Sequence, residues 1–181
     1  SSDLNDPYTL KYLIGFDLRF YLTRNGEYIM KKSEKAVELF KKGYNCSQSV
    51  FGAFAEDLGI DFETAVMISS SFGGGMGRMR EVCGAVSGMF MAAGIKYGYS
   101  DPKNMNAKKE HYRLIQTLAE RFKERNKYIV CRQLLGMEAD GYTPSERNGE
   151  YYKKRPCAEL VRDAAEIFEE YLECCDKKNE I

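Results

Sequence analysis

The sequence predicts an all-α protein, a compact single-domain helical bundle with a small N-terminal extension. From residue 30 to 172, apolar residues recur at the spacing of amphipathic helices, and Gly, Asn, Asp and Pro separate the helical stretches. A chain of 181 residues is long enough for one core and short for two domains. The helical domain is predicted to span residues 30–175, between the extension at 1–29 and a disordered tail at 176–181.

The extension differs from the rest because aromatic residues dominate it. Tyr8, Tyr12, Phe16 and Phe20 recur at helical spacing, whereas Asn25-Gly26 is typical of the turn in a two-residue β-hairpin. Strand and helix therefore both stay open as interpretations of residues 1–29.

Three helices are predicted before the glycine-rich stretch. Ser33 is the candidate N-cap of the first helix, and Asn45 or Ser47 is that of the second. Asp61 has the right chemistry to cap a third helix, which runs towards Phe72.

A fourth helix is predicted from about Gly84 to Tyr97, and it is apolar on nearly all sides. Such a helix belongs at the centre of a fold. Gly84, Gly88 and Ala92 lie four residues apart and give it one smooth face. We expect either another helix of the chain or a second copy, in a homodimer, to approach that face closely.

The second half of the chain adds a long charged helix over residues 107–126 and a short helix around Cys131. Residues 138–154 contain Gly, Pro, Ser and Asn and are predicted to form a loop. Pro156 suits the first turn of a helix, so the last helix is expected from Cys157 to about Leu172.

Composition and charge exclude several classes of protein. The 27 basic residues equal the 27 acidic ones, so no overall field attracts nucleic acid. The longest uncharged runs, 64–77 and 82–95, are too short to span a membrane, and no secretory signal is visible. Six cysteines are too few for a disulfide-stapled scaffold of this length. We therefore expect a cytoplasmic protein.

Four separated cysteines are the main candidates for chemistry. Cys83 follows the glycine-rich run at 73–77, and Cys46 and Cys157 also lie near predicted helix starts. Amide hydrogens and the helix dipole at such starts favour a thiolate over a thiol. With Cys131 these residues can ligate a metal or an iron–sulfur cluster, or two can cycle between dithiol and disulfide. A plain packing role as small buried residues is the alternative for each of them.

The glycine run and the arginines after it supply further candidates. Gly75, Gly77 and Gly84 would let backbone amides approach a cofactor or an anion, although a tight turn ahead of the cysteine also accounts for them. Arg78 and Arg80 can neutralise a thiolate, a cluster or an anionic substrate, or can belong to a solvated face.

Other residue patterns narrow the chemistry. The single histidine, His111, excludes multi-histidine metal sites, and no CxxCH segment is present for covalent haem. Cys174 and Cys175 stand among charged residues near the end of the last helix, where we expect exposed thiols without a function.

The segment Cys83-Gly84-Ala85-Val86-Ser87-Gly88 matches the Cys-Gly-Ala-x-x-Gly motif of a family of redox-active proteins at every specified position. Gly-Tyr-Asn-Cys-Ser-Gln at 43–48 resembles the surroundings of that family's first cysteine. Cys131 and Cys157 fall where the third and fourth are expected. The resemblance covers about residues 31–172 and leaves out residues 1–29, Cys174 and Cys175.

This resemblance implies a redox role that rests on four cysteines. Members are typical of anaerobic bacteria and archaea, and their genes often neighbour transporter genes. Split-Soret cytochromes look related to the family, which implies an iron–sulfur cluster on the shared cysteines and electron transfer with a donor or acceptor that the sequence does not name.

We therefore predict that four cysteines converge into one redox site, namely Cys46, Cys83, Cys131 and Cys157. Cys83 and Cys46 are its predicted reactive thiols. Four separated helix ends suit an iron–sulfur centre or another thiolate-bound metal somewhat better than a dithiol/disulfide pair. The alternative function is a non-catalytic module, associated with transport, that binds a small molecule or metal ion between helices. The sequence assigns no catalysed reaction.

Overall fold

A computed structural model describes residues 19–22, 26–146 and 148–179, apart from the side chains of 152–154 and 176–179. The chain divides after Lys31 into two units, which are treated separately. In the part of the second unit that the structure describes, eight regular α-helices form a bundle. The predicted all-α class is therefore confirmed.

The first unit contains a small antiparallel sheet of two strands, β1 (Phe20–Leu22) and β2 (Tyr28–Met30). Leu22 pairs with Tyr28, so five residues connect the strands instead of the two that the Asn25-Gly26 turn predicted. Gly26 has a φ of 82°, a conformation that favours glycine. The strand interpretation therefore holds for residues 20–22 and 28–30. The helical spacing of Tyr8, Tyr12 and Phe16 lies outside the described residues.

The helices of the second unit follow the sequence prediction closely, and α4 has the predicted bounds. They are α1 (Lys32–Lys41), α2 (Cys46–Phe54), α3 (Phe62–Ser69), α4 (Gly84–Tyr97), α5 (Met105–Asn126), α6 (Cys131–Leu135), α7 (Gly149–Lys154) and α8 (Cys157–Asn179). A 3-10 turn (Ser70–Phe72) and a glycine turn (Gly73–Met76) connect α3 to the segment before α4. Within the described ranges, no helix combines the length and apolar character needed to cross a membrane.

Side-chain caps explain why α2 and α3 begin where they do. Asn45 Oδ1 accepts hydrogen bonds from the amides of Ser47 and Gln48, and the Gln48 side chain accepts one from the Asn45 amide. This reciprocal capping box fixes the start of α2. Asp61 caps α3 as predicted, by accepting from the Thr64 amide at 2.9 Å.

Three predicted boundaries were wrong. Ser33 is not an N-cap, because α1 begins one residue earlier and Ser33 is buried inside its first turn. The predicted loop at 138–154 contains α7, which starts where the Asn148 side chain accepts from the Tyr151 amide. Helix α8 continues to Asn179, into the predicted tail, since neither glycine nor proline stops it there.

The core lies where α2 and α4 meet and where α8 packs along α1 and α2. Phe54 of α2 and Phe168 of α8 are fully buried, and their rings meet edge to face at 5.0 Å. Burying each phenylalanine stabilises the fold by about 1.5–3 kcal/mol. The same packing brings the first residues of α2 and α8 towards each other.

The smooth face of α4 lies against α2 of the same chain. A Cβ added at Gly88 would lie 2.7 Å from the Ser47 carbonyl oxygen and 3.0 Å from the Val50 Cβ. One added at Gly84 would lie 3.1 Å from the Cys46 Cβ. We expected either another helix of the chain or a second copy of the chain to approach this face, and the structure shows a helix of the same chain there. The homodimer stays a prediction.

Candidate functional site

Each of the four separated cysteines stands at the start of a helix. Cys46, Cys131 and Cys157 are the first residues of α2, α6 and α8, and Cys83 is the N-cap of α4. The sequence indicated three of these helix starts, and Cys131 adds a fourth because α6 begins at that residue. Helix starts expose amide hydrogens and the positive end of the dipole, so each favours nearby negative charge.

All four cysteines line one small cavity with a volume of about 50 Å³. Their exposed fractions lie between 3% and 9%, and none forms a disulfide. Apolar side chains, two arginines and two of the predicted glycines complete much of the lining: Leu134, Leu135, Leu160, Arg80, Arg155, Gly75 and Gly84. The structure therefore brings together the four cysteines that the sequence singled out.

A short backbone pairing joins the segments that carry Cys83 and Cys131. Val82 and Val130 form an isolated antiparallel bridge, and the Cys83 amide donates to the Ile129 carbonyl at 2.8 Å. Each cysteine directly follows a bridge residue, so the pairing holds both at the edge of the same cavity.

The glycine turn makes room for this arrangement. Gly75 has a φ of 74°, and a Cβ added there would lie 2.7 Å from the Cβ of Cys131. Left-handed backbone continues at Met76, Arg78 and Arg80, whose φ values are 58°, 70° and 61°. Such conformations cost about 1–3 kcal/mol each for residues with side chains and persist where the surroundings fix them. The strain is concentrated next to the cysteine cavity.

Two of the thiols, those of Cys46 and Cys157, lie within hydrogen-bonding reach of each other. This interaction, followed by burial and by the nearby Cys83 and Cys131, raises the pKa of Cys46 well above its ordinary value. Each neighbouring thiolate would repel a charge on Cys46. The cavity therefore favours the protonated form of Cys46 when no cation is present.

Burial is also the main cause of the raised pKa values of the other two thiols, those of Cys83 and Cys131. It raises the pKa of Cys83 to about 12, although the amides of Ala85 and Val86, which approach the sulfur without completing a capping hydrogen bond, lower it in part. The expectation that a helix start would favour the Cys83 thiolate was therefore wrong, because desolvation outweighs the helix amides. Burial raises the pKa of Cys131 too, but the Arg80 guanidinium counteracts it.

Arg80 is the arginine that meets the cysteines. Its side chain is 1% exposed, its Nη2 donates to Asp140 Oδ1 at 2.9 Å, and its Nε–H has no partner among the described residues. Arg78, which the sequence also proposed, binds Asp140 at 2.6 Å and lines a neighbouring groove instead. Gly77 lines that groove as well.

Sequence reasoning missed Arg155, which lines the cavity and whose charge lowers the pKa of Cys131. Its signal was a basic residue shortly before a cysteine, as in Arg155-Pro156-Cys157. Cys174 is exposed, Cys175 is partly buried, and neither is among the residues that line the cavity.

The donor chemistry of the cavity suits a thiolate-bound metal, since four cysteine sulfurs are the ligand set of zinc sites and iron–sulfur clusters. Gly75 and Gly84 leave space beside two of these cysteines that a Cβ would fill. Within the described residues, however, no three Cys, His, Asp or Glu side chains are arranged to hold one ion. The cavity therefore has the sulfur donors and the positively charged side chains that a thiolate-bound metal needs. Its described thiols do not surround one ion position, and the two that interact directly are those of Cys46 and Cys157.

The raised pKa of Cys83 predicts that the folded protein becomes less stable as pH rises above 9. The unfolded chain loses the Cys83 proton near the ordinary value of 9.0, whereas the folded protein keeps it until about pH 12. The stabilisation is therefore complete below pH 9 and is lost as pH rises towards 12. Between about pH 8 and about pH 10 we expect Cys83 to account for a loss of about 1.4 kcal/mol.

Urea unfolding under reducing conditions at both pH values checks this expectation. Cys83→Ala should lose less stability than the unsubstituted protein over the interval, whereas Cys174→Ala, at an exposed position, should lose the same amount. Equal losses in all three proteins would contradict the burial argument.

One of three comparisons with known proteins finds a match. No curated protein and no solved structure matches the chain. The family model described as "Putative redox-active protein (C_GCAxxG_C_C)" matches residues 44–171, a range that holds all four cavity cysteines and the motif at 83–88. Because this match covers most of the sequence and confirms the resemblance seen in its motifs, the chain belongs to that family of redox-active proteins.

Proposed function

We propose that the cysteine cavity is a redox centre in which the thiols of Cys46 and Cys157 are reversibly oxidised to a disulfide. The observation that carries the proposal is that both thiols line one cavity of about 50 Å³, close enough to each other to interact directly. Both residues begin helices that pack against each other, so their backbones are held near one another. A disulfide requires Cα atoms about 4.4–6.8 Å apart and an S–S bond of about 2.05 Å.

The oxidant in this step is an external disulfide. One thiol of the pair gives up its proton as its sulfur attacks the external disulfide. The external S–S bond breaks, and the leaving sulfur takes up a proton and departs as a thiol. The second cysteine of the pair then attacks the mixed disulfide and releases the second thiol. Two electrons pass to the acceptor, which also takes up the two protons that the pair gives up.

A second function, electron transfer through a thiolate-bound metal, is favoured by the electrostatics of the same cavity. The thiols raise one another's pKa because their thiolates would repel, and a bound cation removes that repulsion. An iron–sulfur cluster, when bound, supplies electron-transfer chemistry. The residues that would hold it are Cys46, Cys83, Cys131 and Cys157.

The other residues of the cavity have defined parts in either function. Arg80 and Arg155 offset negative charge on the sulfurs, since both lower the pKa of Cys131. Leu134, Leu135 and Leu160 give the cavity an apolar wall. An apolar wall with fixed positive charges is a suitable environment for sulfur redox chemistry.

The test treats protein purified without oxygen with a small disulfide and maps the resulting linkage by mass spectrometry. We expect a bond between Cys46 and Cys157, complete loss of that bond in Cys157→Ser, and its retention in Cys174→Ser. The last variant is the matched control, because it removes an exposed thiol from the same helix.

Iron, zinc and sulfide analysis with a visible spectrum of the same preparation addresses the second function. Stoichiometric iron and sulfide that disappear in Cys83→Ser would establish the metal centre in place of the dithiol. A preparation with no metal and no linkage at Cys46 would contradict both functions and favour the non-catalytic binding module.

A further inference from the structure

A second and more open groove adjoins the cysteine cavity. Its volume is about 270 Å³, and five of its lining residues also line the cavity: Asn45, Gly74, Arg80, Tyr151 and Arg155. We name it the arginine groove, after Arg78, Arg80 and Arg155 in its lining. A molecule in the arginine groove would therefore lie directly beside the thiols.

Positive charge exceeds negative charge in this groove. Among the described residues that line it there is no carboxylate, and three are arginines. Asp140 bonds to Arg78 at 2.6 Å and to Arg80 at 2.9 Å from outside the lining. Arg155 has no carboxylate partner in the described part of the chain, and its guanidinium instead makes a long bond to Ser145 Oγ at 3.4 Å. Two guanidiniums therefore share one carboxylate, and the third has none.

An unsatisfied donor stands in the wall that the groove shares with the cavity. The Arg80 Nε–H is buried and has no partner among the described residues. A buried donor left unpaired costs about 1–3 kcal/mol, so an acceptor at this position is favourable. Gly74 and Gly77, both with positive φ, present backbone without a side chain on the same surface, although the Gly77 amide already donates to the Gly73 carbonyl. Guanidinium groups are usual partners of oxyanions.

We propose that the arginine groove binds the carboxylate or phosphate group of a small molecule, and that this molecule is the anionic disulfide with which the cysteines exchange electrons. A volume of about 270 Å³ lies just below the usual range of ligand pockets, which favours a compact ligand. The identity of the ligand as a redox partner rests on the proposed function, whereas binding of the anion does not.

The first measurement is calorimetric titration of the reduced protein with inorganic phosphate and, separately, with succinate. Neither probe reacts with thiols, so this arm is independent of the proposed function. We expect one site per chain, weakened at least about tenfold in Arg155→Gln, partly retained in Arg155→Lys and unchanged in Arg113→Gln. Arg113 is a suitable control because it is an exposed arginine on α5, outside the groove. The tighter probe identifies the phosphate or the carboxylate as the favoured group.

The second measurement compares oxidation of the thiols by dithiodiglycolate, a compact disulfide with a carboxylate on each arm, and by neutral hydroxyethyl disulfide of similar size. We expect faster oxidation by the anionic reagent, and we expect Arg155→Gln to remove that preference. If the unsubstituted protein binds neither phosphate nor succinate, the proposal that the arginine groove binds anions is wrong. If the protein binds a probe but both disulfides oxidise it at the same rate, the groove still binds anions, and the inference that its ligand is an anionic disulfide is wrong. Probe binding with no oxidation by either reagent would contradict the dithiol function, and with it the link to the groove.

Discussion

Replacing Gly88 with alanine is expected to destabilise the protein by about 1–3 kcal/mol, whereas the same change at Gly94 is expected to stabilise it by about 0.5–1 kcal/mol. Both glycines lie inside α4, so both gain the same helix propensity from alanine. At Gly94 the new methyl group meets nothing within 4 Å. At Gly88 it would lie 2.7 Å from the Ser47 carbonyl oxygen, and α2 must move away.

Chemical denaturation of the two variants, with the unsubstituted protein as reference, measures this difference. The displaced helix carries Cys46 at its first residue, so Gly88→Ala should also reduce formation of the Cys46–Cys157 linkage. Equal stability of the two alanine variants would show that α2 and α4 are not in close contact.

Replacing Arg80 with methionine is expected to cost about 1–3 kcal/mol of stability and to raise the pKa of Cys131. The guanidinium is buried beside this thiol, and both its charge and its hydrogen bonding lower the pKa of the thiol. Methionine keeps most of the buried volume and removes the cation. Arg80→Lys keeps the charge without the planar donor fork, so it should raise the pKa less.

The pKa of Cys131 can be followed directly through the Cβ resonance of ¹³C-labelled cysteine, which does not depend on reagent access. Arg78→Met is the matched control, because Arg78 binds the same Asp140 carboxylate but does not line the cysteine cavity. This control should change stability without moving the Cys131 titration. A Cys131 titration that is the same in Arg80→Met as in the unsubstituted protein would refute the electrostatic role of Arg80.

The elements that sequence predicted best are those fixed by short-range chemistry. Asn45 and Asp61 cap α2 and α3 through bonds to amides two or three residues away, so local sequence is enough to find them. The even apolar character of α4 likewise indicated its central position. Helix α7 was not predicted because the Gly, Pro, Ser and Asn residues around it are typical of loops. The helix starts at a single side-chain cap, Asn148, which is also a common loop residue.

The parts of the site that were not predicted depend on tertiary contact. Sequence brought Arg78 and Arg80 forward together, and only the tertiary structure shows that Arg80 is the one that lines the cysteine cavity. Burial of Cys83 reverses the pKa shift expected from its helix start, because desolvation depends on what the rest of the chain places around the thiol. The pairing of Cys83 with Cys131 rests on a bridge between segments far apart in sequence.

The distance in sequence between the cysteines has a consequence for folding. Cys46 and Cys157 meet only when α8, the last helix, packs against α1 and α2, the first helices of the bundle. Contacts between distant segments form slowly and late. During synthesis a ribosome-bound chain holds three of these thiols before the fourth emerges, so they are exposed to oxidation and wrong pairing in that interval. The cysteine cavity is therefore complete only after α8 has packed, and its assembly reports that the first and last helices of the bundle have come together.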